Sequence, residues 1–237
     1  MSVDESNRRP IKQRERGYAK WLTRVLVNGG VTPNLISFSS IVFAVFAGLC
    51  FYAVGIATSV GDRVLLCLGA ALFCQLRLLA NMMDGMVAVE GGKGGPDGPV
   101  WNELPDRFAD IAVLVGAGYG VAALGIASPA LGWAAAVAAV MTAYVREVVR
   151  GAGAPADFSG PMAKPHRMFV MTVAALIAAT APVWFYYEPF PGSASLQPGY
   201  VYAAGGAIHI ALWIVLIGST FTALNRTRRG LAALCSK

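Results

Sequence analysis

Residues 81–110 read NMMDGMVAVEGGKGGPDGPVWNELPDRFAD, and the polar groups in this stretch recur at helical intervals between two long apolar runs. Asn81, Asp84, Gly85 and Ala88 fall at i, i+3, i+4 and i+7, which is one helical face, and Arg77 lies one turn earlier on that face. Beyond a loop of turn formers, EGGKGGPDGP, the residues Asn102, Asp106 and Asp110 recur every four positions and share a second face. The whole can be written N-x2-D-G-x2-A-x9-G-x3-N-x3-D, with Gly98 as its third fixed small residue.

The chain around this stretch is 237 residues long, 56% hydrophobic and 14% charged. Soluble domains are about 45–50% apolar and about 25% charged, so the composition belongs to a bilayer. Six apolar segments are expected to cross it, at 35–57, 64–89, 102–126, 130–150, 168–187 and 200–224. Lys and Arg gather at the termini and in the even-numbered loops, and the opposite loops carry Arg63 alone. The positive-inside rule then puts both termini in the cytoplasm, with the two acid-bearing segment ends on that side. The expected fold is all-α: a polytopic protein of the inner membrane with six transmembrane helices.

Ahead of them, Pro10 to Val27 places Tyr18, Trp21, Leu22 and Val25 on one stripe and basic residues on the others. Two readings fit this pattern, a helix lying in the headgroup plane and a helix docked on the bundle. The organisation is therefore residues 1–30 as a cytoplasmic segment with an amphipathic helix, 31–226 as the membrane domain, and 227–237 as a basic tail. The net charge of +6 points, with so much apolar bulk, to anionic lipid or phosphorylated substrates rather than nucleic acid. Cys50, Cys67, Cys74 and Cys235 lack a metal-ligand spacing and imply no disulfide framework. Seven Lys or Arg precede any long apolar run, which is not the layout of a cleavable secretory signal. Gly116 and Gly120 form a G-x3-G, a motif compatible with a homodimer contact.

Charged side chains at membrane depth face the interior, pair, or bind ions. Asp84, Asp106 and the amide oxygens of Asn81 and Asn102 form an oxygen-rich set that suits Mg²⁺ or Mn²⁺ with substrate phosphates completing the shell. Glu103 and Asp110 are further candidate ligands, and Arg77 is placed to touch phosphate or to pair with Asp84. Asn102 could also cap the helix that follows it, with Pro105 in the first turn. A second cluster, Arg146, Glu147 and Arg150 followed by GPMAKPHR with Lys164 and Arg167, suits phosphate capture or simply flanks the membrane. His166 lies beside it without a clear role, and His209 reads as an interhelical hydrogen-bond partner.

The spacing resembles the signature of the CDP-alcohol phosphatidyltransferase family, D-x2-D-G-x2-A-R-x8-G-x3-D-x3-D. Asp84, Gly85, Ala88, Gly98 and Asp106 keep the family's identities, while Asn81, Asn102 and Val89 stand where it has two acids and an arginine. VTPNLIS before the first segment and REVV at the end of the fourth extend the likeness more loosely. The resemblance implies transfer of a phosphatidyl group from CDP-diacylglycerol to a soluble, anionic hydroxyl acceptor, with release of CMP at the cytoplasmic membrane face. It implies Asn81, Asp84, Asn102 and Asp106 as the metal-binding set, with Asp110 added as a substitute ligand because it shares the Asp106 face, and Asp106 as the base. Asp84, Gly85, Ala88 and Gly98 would meet the CDP moiety, and Arg77, Arg146, Lys164 and Arg167 substrate phosphate. Two amides for two acids remove two negative charges, so fewer metal ions, down to one, are expected. The alternative is a member that binds lipid and nucleotide as a scaffold without catalysis. A small transporter finds no support in paired, interrupted helices.

Overall fold

The structure is a computed structural model that describes residues 16–92, 95, 97–184 and 198–236. They form seven helices and, among the described residues, no strand: α1 (Gly17–Asn28), α2 (Pro33–Ile56), α3 (Val60–Glu90), α4 (Gly98–Ala123), α5 (Ala130–Gly151), α6 (Lys164–Trp184) and α7 (Pro198–Cys235). Helices α2 to α7 overlap the six apolar segments. By length and apolarity α2, α3, α5 and Ala203–Cys235 of α7 are able to cross a membrane. In α4 the residues Glu103, Asp106, Arg107 and Asp110 crowd charge into one half.

Local chemistry sets the helix starts. The Thr32 hydroxyl accepts from the Leu35 amide at 3.3 Å while Pro33 takes the first helical position, so VTPN is a cap. Ser59 does the same for α3, accepting from the Asp62 amide at 3.0 Å. The fourth helix departs from expectation. It begins at Gly98 after Asp97, so Asn102 is not its cap, and Pro105 lies inside the helix rather than in its first turn. Asn34 reaches over from α2 and donates to Asp97 at 3.2 Å, tying that start down.

The packing is small inside and large outside. Ala44, Ala47, Ala70, Ala109, Ala117, Ala135 and Ala139 are buried, while Leu65, Val137, Ile217 and Phe221 face outward. Lipid tails are as apolar as leucine, so helices in a bilayer associate through close contact of small residues. The closest approach is between α2 and α4. A Cβ on Gly116 would stand 2.2 Å from the Gly48 carbonyl oxygen, and one on Gly120 2.1 Å from that of Phe51. The G-x3-G motif is thus taken up inside the chain, which removes the motif behind the dimer expectation.

α1 packs on α3, burying Ala19 and Thr23, while Tyr18, Trp21 and Val25 remain exposed. The expected stripe is therefore divided, with Leu22 packed against the cluster that Ala19 forms with residues of α2 and α3 and its aromatic members facing out. The part of the expected helix before residue 16 lies outside the described residues. At the other end α7 continues as helix through Cys235, so the basic segment after residue 226 extends the last helix. At ~1.5 Å per residue its 38 residues span about 57 Å, well beyond a hydrocarbon core of roughly 30 Å.

Candidate active site

The polar groups of α3, α4 and α6 meet at one end of the bundle and divide into two layers. In the deeper one, Asp110 of α4 is fully buried between two arginines. Its Oδ1 accepts from Arg77 Nη2 at 2.8 Å and its Oδ2 from Arg167 Nη2 at 2.5 Å. Arg167 also donates to the Met162 carbonyl at 2.8 Å and the Thr142 hydroxyl at 3.3 Å. Arg77 donates to the backbone carbonyl of Asp106 at 3.4 Å and lies 3.6 Å from its carboxylate. The expected Arg77–Asp84 pair is not formed. Helix α4 supplies a nearer carboxylate than the one on Arg77's own helix, and the cross-helix pair wins.

Both Arg77 and Arg167 are buried and engaged. Neither lies open to a substrate phosphate, contrary to the sequence expectation. Asp110 likewise faces two guanidinium groups, which would repel a divalent cation, so it is the anion that holds the arginines rather than a substitute ligand.

The layer above contains Asn81, Asp84, Asp106 and Lys164. Asn81 donates through Nδ2 to Asp106 Oδ1 at 2.9 Å. Lys164, the first residue of α6, donates from Nζ to both Asn81 Oδ1 and Asp106 Oδ2. Asp84 is 4% exposed. It accepts from the Ser37 hydroxyl of α2 at 2.8 Å and from the Gly85 amide at 2.5 Å. Among the described residues Asp84 forms no salt bridge, and Lys164 reaches it only through longer-range attraction.

Gly98 opens α4 with free space where a Cβ would be, so ligand could approach its backbone closely. Gly85 and Ala88 are partly buried on the Asp84 face of α3. Asn102 lies in α4 one turn before Asp106; its side chain is outside the described residues.

Among the described residues no group of three or more His, Cys, Asp and Glu converges on a point, so a cage made of carboxylates alone is not present. The donor set fits one cation better than two. Asp84 is a buried carboxylate without a salt bridge, while Asp106 is already matched by Lys164. Burying a carboxylate without compensation is costly, and a divalent cation beside Asp84 would remove that cost.

The second basic cluster is mostly self-paired. Arg146 bridges Glu103 at 2.5 Å and Glu147 at 2.9 Å, with its guanidinium 4.9 Å from the Phe158 ring centroid. Glu103 also lies 3.6 Å from Arg107, so it serves ion pairs rather than the metal set. His166 faces the Pro161 carbonyl at 2.9 Å. His209 accepts from Trp213 of its own helix at 3.0 Å, an intrahelical bond where an interhelical one was expected.

The sequence reading missed the strap that positions Lys164. The Met162 amide donates to the Thr222 hydroxyl at 3.0 Å. Arg226 donates to the Ser159 carbonyl at 3.0 Å and to the Thr142 carbonyl at 2.7 Å. Arg229 pairs with Asp157 at 3.7 Å. Burial raises the pKa of Asp157, but the Ser159 hydroxyl and amide, with Arg226 and Arg229, outweigh this and hold it below the ordinary carboxylate value of 3.8. These contacts dock the loop before α6 onto the C-terminal extension of α7. The only sequence signal was NRTRR, which reads equally well as a basic tail.

No family model matches the chain. It is 24% identical over 208 residues to phosphatidylinositol phosphate synthase of Mycolicibacterium smegmatis, covering 86% of this chain and 80% of that one. Among solved structures it resembles phosphatidylinositol phosphate synthase of Mycobacterium tuberculosis in complex with manganese and citrate. That match has a TM-score of 0.65 at 19% identity and covers 90% of this chain and 88% of the other. The same enzyme with CDP-DAG bound gives a TM-score of 0.63 at 20% identity over 90% of this chain and 91% of that one. The chain is thus similar in sequence to phosphatidylinositol phosphate synthase and shares its fold.

Proposed function

We propose that the protein transfers a phosphatidyl group from CDP-diacylglycerol to a soluble hydroxyl acceptor, releasing CMP at the cytoplasmic face of the inner membrane. The observation that carries this is Asp84: a buried carboxylate without a salt bridge, at the motif position, next to the Asn81–Asp106 pair. In this reading all of α2 to α7 cross the bilayer and both termini are cytoplasmic, in keeping with the near absence of Lys and Arg from the opposite loops. Tyr18, Trp21 and Val25, which α1 leaves exposed, lie in the headgroup plane.

The acceptor oxygen bonds to the lipid-bearing phosphorus as the pyrophosphate P–O bond breaks, CMP leaves, and Asp106 takes the hydroxyl proton. A Mg²⁺ or Mn²⁺ ion held at Asp84, beside the Asn81–Asp106–Lys164 group, would neutralise the pyrophosphate when bound. Gly85, Ala88 and Gly98 line the approach of the CDP moiety. Arg146 is the basic group that would meet an anionic acceptor, while Lys164 is held on Asn81 and Asp106. The relatives' name makes an inositol phosphate the first acceptor to try.

Membranes containing the protein, given CDP-diacylglycerol, Mn²⁺ or Mg²⁺ and a panel of polyols and polyol phosphates, should release CMP with one of them. Asp106→Asn should lower that release by about 10²–10⁴-fold, the range for loss of a general base. A second reading, a member that binds lipid and nucleotide without turnover, is favoured by the two asparagines at acid positions. It predicts nucleotide binding with no CMP from any acceptor.

A further inference from the structure

We infer that the ammonium group of Lys164 takes the place of one divalent cation at this site, so that a single metal ion, at Asp84, completes it; the inference rests on the transfer reading above. The geometry is a closed ring of three side chains. Lys164 Nζ donates to Asn81 Oδ1 and Asp106 Oδ2, and Asn81 Nδ2 donates to Asp106 Oδ1. An acid at position 81 could not make this ring. Its carboxylate has no N–H to give Asp106, and two carboxylates in contact would need more positive charge than one lysine carries. The asparagine offers one face to the ammonium and the other to the carboxylate, leaving one negative charge against one positive.

The wider cluster balances in the same way. Asp84, Asp106 and Asp110 stand against Arg77, Lys164 and Arg167, with the ion-paired Arg107 and Glu103 at the edge, Arg107 lying 3.7 Å from Asp106; the aspartates, Arg77 and Arg167 are buried and Lys164 is partly buried. The sharing is uneven. Asp110 has two guanidinium partners, Asp106 has Lys164 with Arg77 and Arg107 at 3.6 and 3.7 Å, and among the described residues Asp84 has none within salt-bridge distance. One cation position is therefore filled by the chain itself and one is left for an ion.

Lys164 is also held in place. It begins α6 directly after a loop fixed to α7 by the Met162–Thr222 and Ser159–Arg226 hydrogen bonds. A lysine serving only as a mobile phosphate hook would not need both of its strong contacts on the acid face.

The test counts Mn²⁺ bound to the purified full-length protein in detergent by electron paramagnetic resonance, with CMP release measured in parallel. The wild type should bind one Mn²⁺ per chain. Lys164→Met should bind it tighter by on the order of tenfold or more, since a positive charge has been removed nearby. Asn81→Asp alone should stay at one ion, and Asn81→Asp combined with Lys164→Met should bind two.

Two tight ions in the wild type, or none, overturn the inference without recourse to any variant. So does a Lys164→Met protein of unchanged Mn²⁺ affinity whose only defect is a raised KM for the acceptor, which would make Lys164 a phosphate ligand. Failure of the wild type to release CMP counts against the transfer reading and leaves the Mn²⁺ count readable.

Discussion

Asp84 and Asp110 would look alike to any pattern, each on a polar helical face beside the loop between α3 and α4, yet their surroundings differ. Asp110 is saturated by two arginines in a region with no access from outside. Asp84 is nearly as buried and, among the described residues, accepts hydrogen bonds from a serine hydroxyl and its neighbour's amide without a salt bridge. The deeper layer is closed in charge and fixes three helices together; the layer above it is left short of positive charge. An incomplete balance at one depth, supported by a complete one below, is how a buried site can bind a cation without losing its shape.

The largest expected effect comes from breaking the closed layer. Asp110→Ala leaves two buried guanidinium groups without an anion, and removal of one partner of a buried pair costs about 3–5 kcal/mol. Thermal unfolding in detergent should show a protein that is barely stable or cannot be recovered. If the variant melts like the wild type, the division into layers fails.

Next is the packing on which both layers stand. Gly116→Leu drives a side chain into the Gly48 carbonyl of α2, and overpacking of this kind costs about 1–3 kcal/mol or more. The melting temperature should fall, and CMP release should fall with it because α4 carries Asp106.

Smaller effects sharpen the contrast from the side of Lys164. Thr222→Val removes the acceptor for the Met162 amide, a change of about 0.5–1.5 kcal/mol. Because the loop feeds Lys164 into the upper layer, Mn²⁺ affinity should shift in this variant while global stability changes little. The smallest effect is pH-linked. Asp157 has a depressed folded-state pKa, so its contribution is present above the unfolded value of 3.8 and is lost as pH falls through the folded value. The stability gap between wild type and Asp157→Asn should be present at neutral pH and close in acid below 3.8.

Much of this was legible before any coordinates. Apolar runs placed α2 to α7, and spacing alone put Asn81 and Asp84 on one face and Asp106 and Asp110 on another. Partners across helices were not legible, since periodicity says which way a side chain points but not which helix it meets. Arg77 was therefore matched with Asp84 on its own helix, while the bundle gave it Asp110. Lys164 could not be linked to Asn81 for the same reason, since the two lie 83 positions apart. The start of α4 was hidden by Gly98 and Pro99, which signal turns as strongly as they begin helices. The end of α7 was hidden by charge, because Asn225 to Arg229 reads as a tail although arginine, leucine and alanine are good helix formers.

The most direct test of the account is CMP release from CDP-diacylglycerol by the purified protein with Mn²⁺ and an inositol phosphate acceptor, for wild type beside Asp84→Asn. Metal-dependent release by the wild type, with at least about a hundredfold less from Asp84→Asn at unchanged melting temperature, is the predicted result. Equal rates in the two proteins, or no release by the wild type where the Mycolicibacterium smegmatis homologue is active, would contradict it.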